Sequence, residues 1–431
     1  MKTTVVNKKY EDVLALPKEK PFKPMKQSMF FRVILKIASS FDLKVTNFKC
    51  NKIGMEKLKI DEPCLILMNH SSFIDLEIAA SVLYPRRFNI VATTDSFMGI
   101  MKWVMRWIGC IPTRKFVTDS KLIRDMLYCI KDLKSSVVMY PEASYSFDGK
   151  ATPLPDSIGR CVKMLGVPVV MIRTYGAFAR QPLYNCLRRR KVDVSADVKY
   201  LLSAQEVAVK GADDINEIIK QEFDFDIFKW LQEYEICIYE ADRAEGLNRV
   251  LYKCPHCMVE SKMVGKGVTL TCEHCGKVYE LTEYGYLRAL DGETKYEHVP
   301  DWYQWERECV RKEIEDDTYQ LKVPVDICMM VDMNGIYRVG EGVLEHTKVG
   351  FHLTGCDGKL DYSQKATTSY SLYADYYWYE IGDVICIGDN KISYYCFPKA
   401  GGDIVTKTRL ATEEMYKMAK EARKTKFKIR G

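Results

Sequence analysis

Four cysteines arranged as two C-x2-C pairs, Cys254-Pro255-His256-Cys257 and Cys272-Glu273-His274-Cys275, are the strongest chemical signal in the chain. This spacing lets four thiolates converge tetrahedrally on one Zn2+ ion. Four thiolates leave no coordination position for a reactant, so the metal should be structural and should stabilise a module too small to have a core of its own. Two matched pairs disfavour the competing reading, a redox dithiol. His256 and His274 lie inside the knuckles and read as exposed residues or as supports of the ligands.

A second constellation sits near the other end. Asn69-His70-Ser71-Ser72-Phe73-Ile74-Asp75 contains the only histidine of the first 255 residues, with a carboxylate five positions later. At about 100° per residue, five helical steps would place the two side chains far apart around the axis. A contact therefore requires His70 in the loop before a helix and Asp75 in its first turns, with Ser71 or Ser72 as the N-cap. Asp75 could then fix the imidazole tautomer and stabilise the charge formed when the other nitrogen takes a proton, which makes His70 a general base. Taken alone, so short a pattern is better explained as a capping histidine at a strand end.

The elements that must position these groups follow from hydrophobic periodicity. Cys64–Met68, Phe88–Ala92, Val137–Tyr140, Val167–Ile172 and Val192–Leu201 read as strands, and Ile74–Leu83, Ser120–Lys134 and Ser157–Leu165 as helices. That alternation predicts an α/β layer structure, a mixed sheet flanked by helices. In such sheets ligands sit beyond the carboxyl ends of the strands, which singles out Asn69-His70, Tyr140-Pro141-Glu142 and Arg173-Thr174.

Further short segments complete a set of four. Gly109-Cys110-Ile111-Pro112-Thr113-Arg114 places a cation after an apolar helix, and Tyr140-Pro141-Glu142-Ala143-Ser144 ends a strand with a carboxylate and a hydroxyl. Val167-Pro168-Val169-Val170 is an apolar strand opened by proline. With the His70 to Asp75 block, these resemble the four ordered motifs of the glycerolipid acyltransferase family, typified by the 1-acyl-glycerol-3-phosphate acyltransferases, over about residues 30 to 205. The resemblance implies transfer of a fatty acyl group from a thioester, on coenzyme A or acyl carrier protein, to the hydroxyl of a lysophospholipid in phospholipid biosynthesis. It implies His70 and Asp75 as the catalytic pair, Arg114 as the ligand of the acceptor phosphate, and Glu142 and Ser144 in the acceptor site. The family's third block usually reads Glu-Gly-Thr-Arg, whereas this chain has Glu142-Ala143-Ser144-Tyr145, and Tyr145 cannot supply the cation. Arg160 or Arg173 are candidates to replace it, although Arg160, on a helix, reads as a solvated surface residue. The altered block also leaves room for an inactive, lipid-binding or scaffolding alternative, against which the intact His70 and Asp75 argue.

The chain has 431 residues, 47% hydrophobic and 28% charged, which is too long for one ordinary domain and too apolar for disorder. Residues 1–45 read as an amphipathic membrane-associating segment, 46–248 as the acyltransferase-like domain, 249–290 as a zinc-ribbon-like module, and 291–431 as a helix plus an antiparallel β-rich domain. The last region closes with a helix over about Thr412–Ala422 and a basic tail, Arg423, Lys424, Lys426, Lys428 and Arg430. Its short strands and closing helix are reminiscent of pleckstrin-homology domains at the level of fold only. Met25–Leu43 and Phe97–Ile111 read as basic amphipathic helices that could lie in an anionic headgroup layer. No run reaches the roughly 18 apolar residues of a membrane span. A net charge of +6 is too small to mark a nucleic-acid binder. Sixteen cysteines in a chain opening without an apolar signal core point to the reducing cytosol, peripheral to a membrane.

Overall fold

The computed structural model describes residues 5–17, 22–117, 119–399 and 404–430, without the side chains of 424 and 426–430. Parts of the N-terminal segment and most side chains of the basic tail therefore lie outside what is described. A short strand, β1 (Val5–Asn7), pairs far along the chain, as set out below.

The first sheet contains β2 (Lys49–Ile53), β3 (Leu65–Met68), β4 (Phe88–Thr93), β5 (Cys110–Thr113), β6 (Ser136–Met139), β7 (Val169–Tyr175) and β8 (Ser195–Leu202). Their order is β2-β8-β7-β3-β6-β4-β5, with every pairing parallel except β7 with β8. Central β3 is buried on both faces, and its period of two divides the core. Ile66 and Met68 pack with Ile74 and Ile78 of the Ile74–Leu83 helix, while Leu65 and Leu67 pack with Met126, Ile130, Ile158 and Val162 on the opposite face. Because β3, β4, β5, β6 and β7 run the same way, the loops after them gather at one edge, with β3 between crossovers leaving in opposite directions.

Two strands run counter to the sequence reading. β2 is exposed at every residue, so an edge strand with no apolar alternation gave no signal. β5 falls where the Phe97–Ile111 helix was expected. The helix there spans only Met101–Trp107, and Gly109, at φ 89°, turns the chain into the strand. A side chain at that glycine would meet Asn89 Nδ2 at 3.1 Å, so the turn needs both the left-handed backbone and the missing Cβ.

Downstream, β9 (Met263–Lys266), β10 (Thr269–Cys272), β11 (Val278–Leu281) and β12 (Leu287–Ala289) form a small antiparallel sheet. After the Val299–Glu315 helix come β13 (Leu321–Met330), β14 (Ile336–Thr347), β15 (Gly350–Gly355), β16 (Leu360–Lys365), β17 (Tyr373–Trp378), β18 (Gly382–Gly388) and β19 (Ser393–Pro398). They order as β16-β15-β14-β13-β19-β18-β17, with β1 joining parallel to β14. The closing helix runs over Ile404–Arg430, longer at both ends than its apolar periodicity suggested. One continuous core joins Phe147 and Phe178 of the first unit to Leu270 and Tyr279 of the small sheet, Trp302, and Val325 and Leu410 of the last unit.

A buried ionic cluster fastens the closing helix. Arg307 Nη1 lies 2.7 Å from Glu413 Oε2, as an ion pair rather than a well-aligned hydrogen bond, and Arg409 Nε lies 3.2 Å from Glu413 Oε1. Ser371 Oγ donates to the same Oε1 at 2.6 Å. Burial pushes the Glu413 carboxyl up, but Arg307 and Arg409 outweigh it and hold it down at about 2. Removing this anion would leave the buried Arg409 guanidinium without its carboxylate partner and Arg307 with Glu414 alone. Glu413→Ala is expected to destabilise the chain by about 3 to 5 kcal/mol in chemical denaturation. In the parent chain the stabilisation from Glu413 is complete above the ordinary glutamate pKa of 4.5 and is lost as pH falls toward 2. A variant as stable as the parent, at pH 7, would show that the cluster contributes nothing.

Candidate active site

His70 occupies the second position after β3, and Asp75 is in the first turn of the Ile74–Leu83 helix. Their side chains meet, with Nδ1 3.1 Å from Oδ2. The same carboxylate oxygen accepts from the Ser71 amide at 2.7 Å and the Ser72 amide at 3.0 Å. This replaces the expected serine cap: Phe73 is the N-cap and makes no side-chain cap bond. A carboxylate one turn inside the helix satisfies the loop amides more strongly than a serine hydroxyl would, because the acceptor is charged. Asp75 is 1% exposed and the His70 side chain 19%, so the acid is sealed while the ring can be reached. Nε2 has no hydrogen-bond partner among the described residues.

Two aromatic rings enclose the imidazole. Tyr140 stacks on it at 4.2 Å between centroids, and Tyr145 packs at 4.2 Å on a 40° tilt. Glu142 Oε2 accepts from the His70 amide at 2.8 Å, and its Oε1 accepts from the Thr152 amide at 2.8 Å and the Thr152 hydroxyl at 3.2 Å. Asn69 bridges to β7, with its Oδ1 accepting from the Thr174 amide at 2.8 Å. The loops after β3 and β6 and the end of β7 are therefore stitched to one another around residue 70. Burial pushes the Glu142 carboxyl up to about 7 against those hydrogen bonds. Burial also lowers His70 below the ordinary histidine value of 6.5; Asp75 opposes that and Lys115 adds to it, so the imidazole is neutral at pH 7.

Arg114 lies just beyond β5 and lines a narrow cleft between the first sheet and the last. Its Nη1 donates to the Asp389 carbonyl at 3.0 Å. Lys115 lines the same cleft with its ammonium 4.1 Å from the centre of the Tyr373 ring. Ser144 is buried away from the cleft, and its hydroxyl accepts from Arg409 Nη1 at 3.3 Å. Arg409 also donates to the Tyr145 carbonyl at 3.2 Å. The cation beside the altered third block thus comes from the closing helix. Arg173 is engaged with the Glu222 carbonyl, and Arg160 is exposed, as read from sequence. His70, Asp75 and Glu142 are brought together, Arg114 stands in the adjoining cleft, and Ser144 faces the closing helix. Sequence reasoning missed the two tyrosine rings, Lys115 and Arg409. Lys115 could have been found as the immediate neighbour of Arg114, whereas Arg409 had no local signal.

The four knuckle cysteines also converge. Cys254 Sγ is 3.8 Å from Cys275 Sγ, and Cys257 Sγ is 3.7 Å from Cys272 Sγ, with all four sulfurs within 4.8 Å of one another. A tetrahedron with Zn–S bonds of about 2.3 Å has edges of roughly 3.8 Å, so the set fits that ion. Each knuckle is followed by a left-handed residue, Met258 at φ 65° and Gly276 at φ 75°, which turns the chain back over the sulfurs. His256 and His274 are exposed.

Comparison with known proteins covers the same part of the chain. Residues 49–174 match the family described as Acyltransferase. The 1-acyl-sn-glycerol-3-phosphate acyltransferase BAT2, chloroplastic, of Brassica napus is 28% identical over 133 residues, 30% of this chain and 38% of that protein. The shared stretch is thus well under half the length of either. The crystal structure of the 1-acyl-sn-glycerophosphate (LPA) acyltransferase PlsC from Thermotoga maritima aligns at a TM-score of 0.37 and 12% identity, covering 45% of this chain and 77% of that one. His70, Asp75, Arg114, Glu142 and Ser144 all fall inside the matched span, and residues 49–174 are an acyltransferase-family domain with distant homologues among the 1-acyl-glycerol-3-phosphate acyltransferases.

Proposed function

We propose that the chain transfers a fatty acyl group from coenzyme A or acyl carrier protein to the hydroxyl of a lysophospholipid such as 1-acyl-glycerol 3-phosphate. The observation that carries this is the His70–Asp75 contact with Nε2 left open. Asp75 holds the proton on Nδ1, so Nε2 presents its lone pair. As the acceptor oxygen attacks the thioester carbonyl, Nε2 takes the hydroxyl proton and the carbon–sulfur bond breaks. The imidazolium, paired with Asp75, then returns the proton to the departing thiolate. Tyr140 and Tyr145 hold the ring plane, and Glu142 fixes the backbone from which it projects. His70→Ala is expected to lower kcat by about 10²- to 10⁴-fold with acyl-coenzyme A and lysophosphatidate. Because a base must be neutral and this ring titrates below 6.5, the acid limb of the kcat/KM profile is expected below that pH. Turnover indifferent to the substitution would leave the lipid-binding alternative standing.

The same reading extends to the membrane as a peripheral surface. The Met29–Val45 helix exposes Phe30 (66%), Ile37 and Phe41, and the neighbouring Met101–Trp107 segment exposes Trp103 and Trp107 beside Ile100 (81%), with Phe31 stacked on Trp107. Lys36 and Lys44 flank the apolar residues on the longer helix. Among the described residues no helix is long and apolar enough to cross a membrane. Buried apolar area and cationic attraction together favour adsorption to anionic bilayers. Phe30→Ser with Trp103→Ser should reduce co-flotation with phosphatidylglycerol vesicles at least fivefold, and equal flotation would remove this surface from the assignment.

Zn2+ is proposed for the four cysteines, as a structural ion whose role is to hold the two knuckles together. About one zinc per chain is expected by elemental analysis, falling below one tenth in Cys254→Ser with Cys257→Ser. A stable, metal-free parent chain would rule the ion out.

A further inference from the structure

The last sheet does more than append to the acyltransferase domain, because it closes the Arg114 cleft from above. Thr93, Arg114 and Lys115 come from the strand ends of the first sheet, and Gln364, Gly388 and Tyr395 come from the last. The roof is anchored at its margins. The Tyr370 hydroxyl donates to the Pro141 carbonyl at 3.3 Å, Tyr373 donates to Asp95, and the Asp389 carbonyl fixes one nitrogen of Arg114.

The donors around this space are incompletely used. Lys115 has no ion-pair or hydrogen-bond acceptor among the described residues, only the face of Tyr373. Burial lowers its pKa, with Asp95 and Asp375 opposing that effect. Gln364 Oε1 accepts from the Gly388 amide at 3.0 Å, which leaves the Nε2 donor of the same side chain without an acceptor among the described residues. Arg114 and Lys115 line the cleft with one carboxylate, Asp95, whose Oδ2 accepts from the Tyr373 hydroxyl, while Asp375 acts on Lys115 from outside the lining. The charge of Lys115 also opposes protonation of His70, which puts it within electrostatic reach of the proposed base.

We propose that the C-terminal β sheet forms half of the acceptor site: Gln364 from the roof, with Lys115 and Arg114 from the floor, binds the phosphate monoester of the acceptor and excludes substituted phosphates. Arg114 supplies its remaining N–H groups in a plane, Lys115 supplies a point charge, and Gln364 supplies a neutral donor from the opposite side. Enclosure from both sides leaves little room for a second ester on phosphorus. This inference rests on the acyl-transfer reading for the identity of the acceptor, but not for the binding of phosphate.

The test uses the full chain and two variants. Gln364→Glu keeps the oxygen that receives the Gly388 amide and replaces the free donor with a second oxygen, so it changes recognition with little change in the roof. Lys115→Met removes the floor cation. Calorimetric titration with glycerol 3-phosphate should show affinity at least tenfold weaker in each variant, no binding of glycerol, and weaker binding of inorganic phosphate than of glycerol 3-phosphate. In turnover, KM for lysophosphatidate should rise at least tenfold in both variants, with KM for acyl-coenzyme A within twofold, and lysophosphatidylglycerol should be a poor acceptor for the parent. Glycerol 3-phosphate affinity unchanged in Gln364→Glu, or equal use of lysophosphatidylglycerol by the parent, would overturn the proposal. Inorganic phosphate bound as tightly as glycerol 3-phosphate would make this a free-phosphate site and would also overturn it. If the parent shows no acyl transfer while both variants lose phosphate, the catalytic reading fails and the cleft stands. If His70→Ala abolishes transfer while both variants bind phosphate normally, the reverse holds.

Discussion

One carboxylate oxygen carries the local order of the site. Asp75 Oδ2 accepts from the Ser71 amide, the Ser72 amide and the His70 ring, all within 3.1 Å, while the residue itself is almost fully buried. A buried carboxylate needs hydrogen-bond donors to offset its burial, and two of these are backbone groups that the turn into the helix would otherwise leave unsatisfied. The requirements coincide: the turn needs an acceptor, the acid needs donors, and the imidazole needs an orienting partner. The strand order makes such a turn possible, because β3 lies between crossovers that leave in opposite directions, so the space above its end is open.

What could be read from sequence follows from which interactions are local. The Ile74–Leu83 helix was legible from its periodicity, and the contact of His70 with Asp75 follows once His70 is placed in the loop before that helix and Asp75 in its first turn. The cap was misassigned because a serine before a helix carries the stronger propensity, whereas here a charged group inside the first turn competes for the same amides. β2 was missed because an edge strand exposed on both faces has no hydrophobic alternation. β5 was hidden in an apolar run continuous with a helix, and only Gly109 marks the break. The cysteine cluster was readable because both halves of the pattern are short. Arg409 was not, since 264 residues separate it from the carbonyl it meets at Tyr145.

The altered third block makes physical sense once the last unit is in place. Tyr145 gives its ring to His70 and its carbonyl to Arg409, and the Arg409 charge is shared with Glu413. An arginine at 145 would set another cation beside an imidazole whose protonation Lys115 already opposes. It would also remove the aromatic ring that packs on the imidazole. The tyrosine thus fits a site in which the third block holds the ring, and it is compatible with the proposal that the phosphate-binding charge lies on the Arg114–Lys115 loop.

The cysteine module enters the same logic through packing. Lys253, adjacent to the first ligand, donates its amide to Glu306 Oε1 at 2.8 Å, and its carbonyl accepts from the Trp302 indole at 3.0 Å. These bonds fix the face of the Val299–Glu315 helix that presents Arg307 to Glu413, and Arg409 on the other side of Glu413 reaches the carbonyl of Tyr145. The position of the knuckles therefore bears on where one helix lies, that helix on where a buried pair can form, and the pair on the loop against which the imidazole packs. No step requires motion or signalling. Each is a buried polar group whose partner must be present for its own burial to be tolerated, so a module with no open coordination position still bears on the geometry at His70.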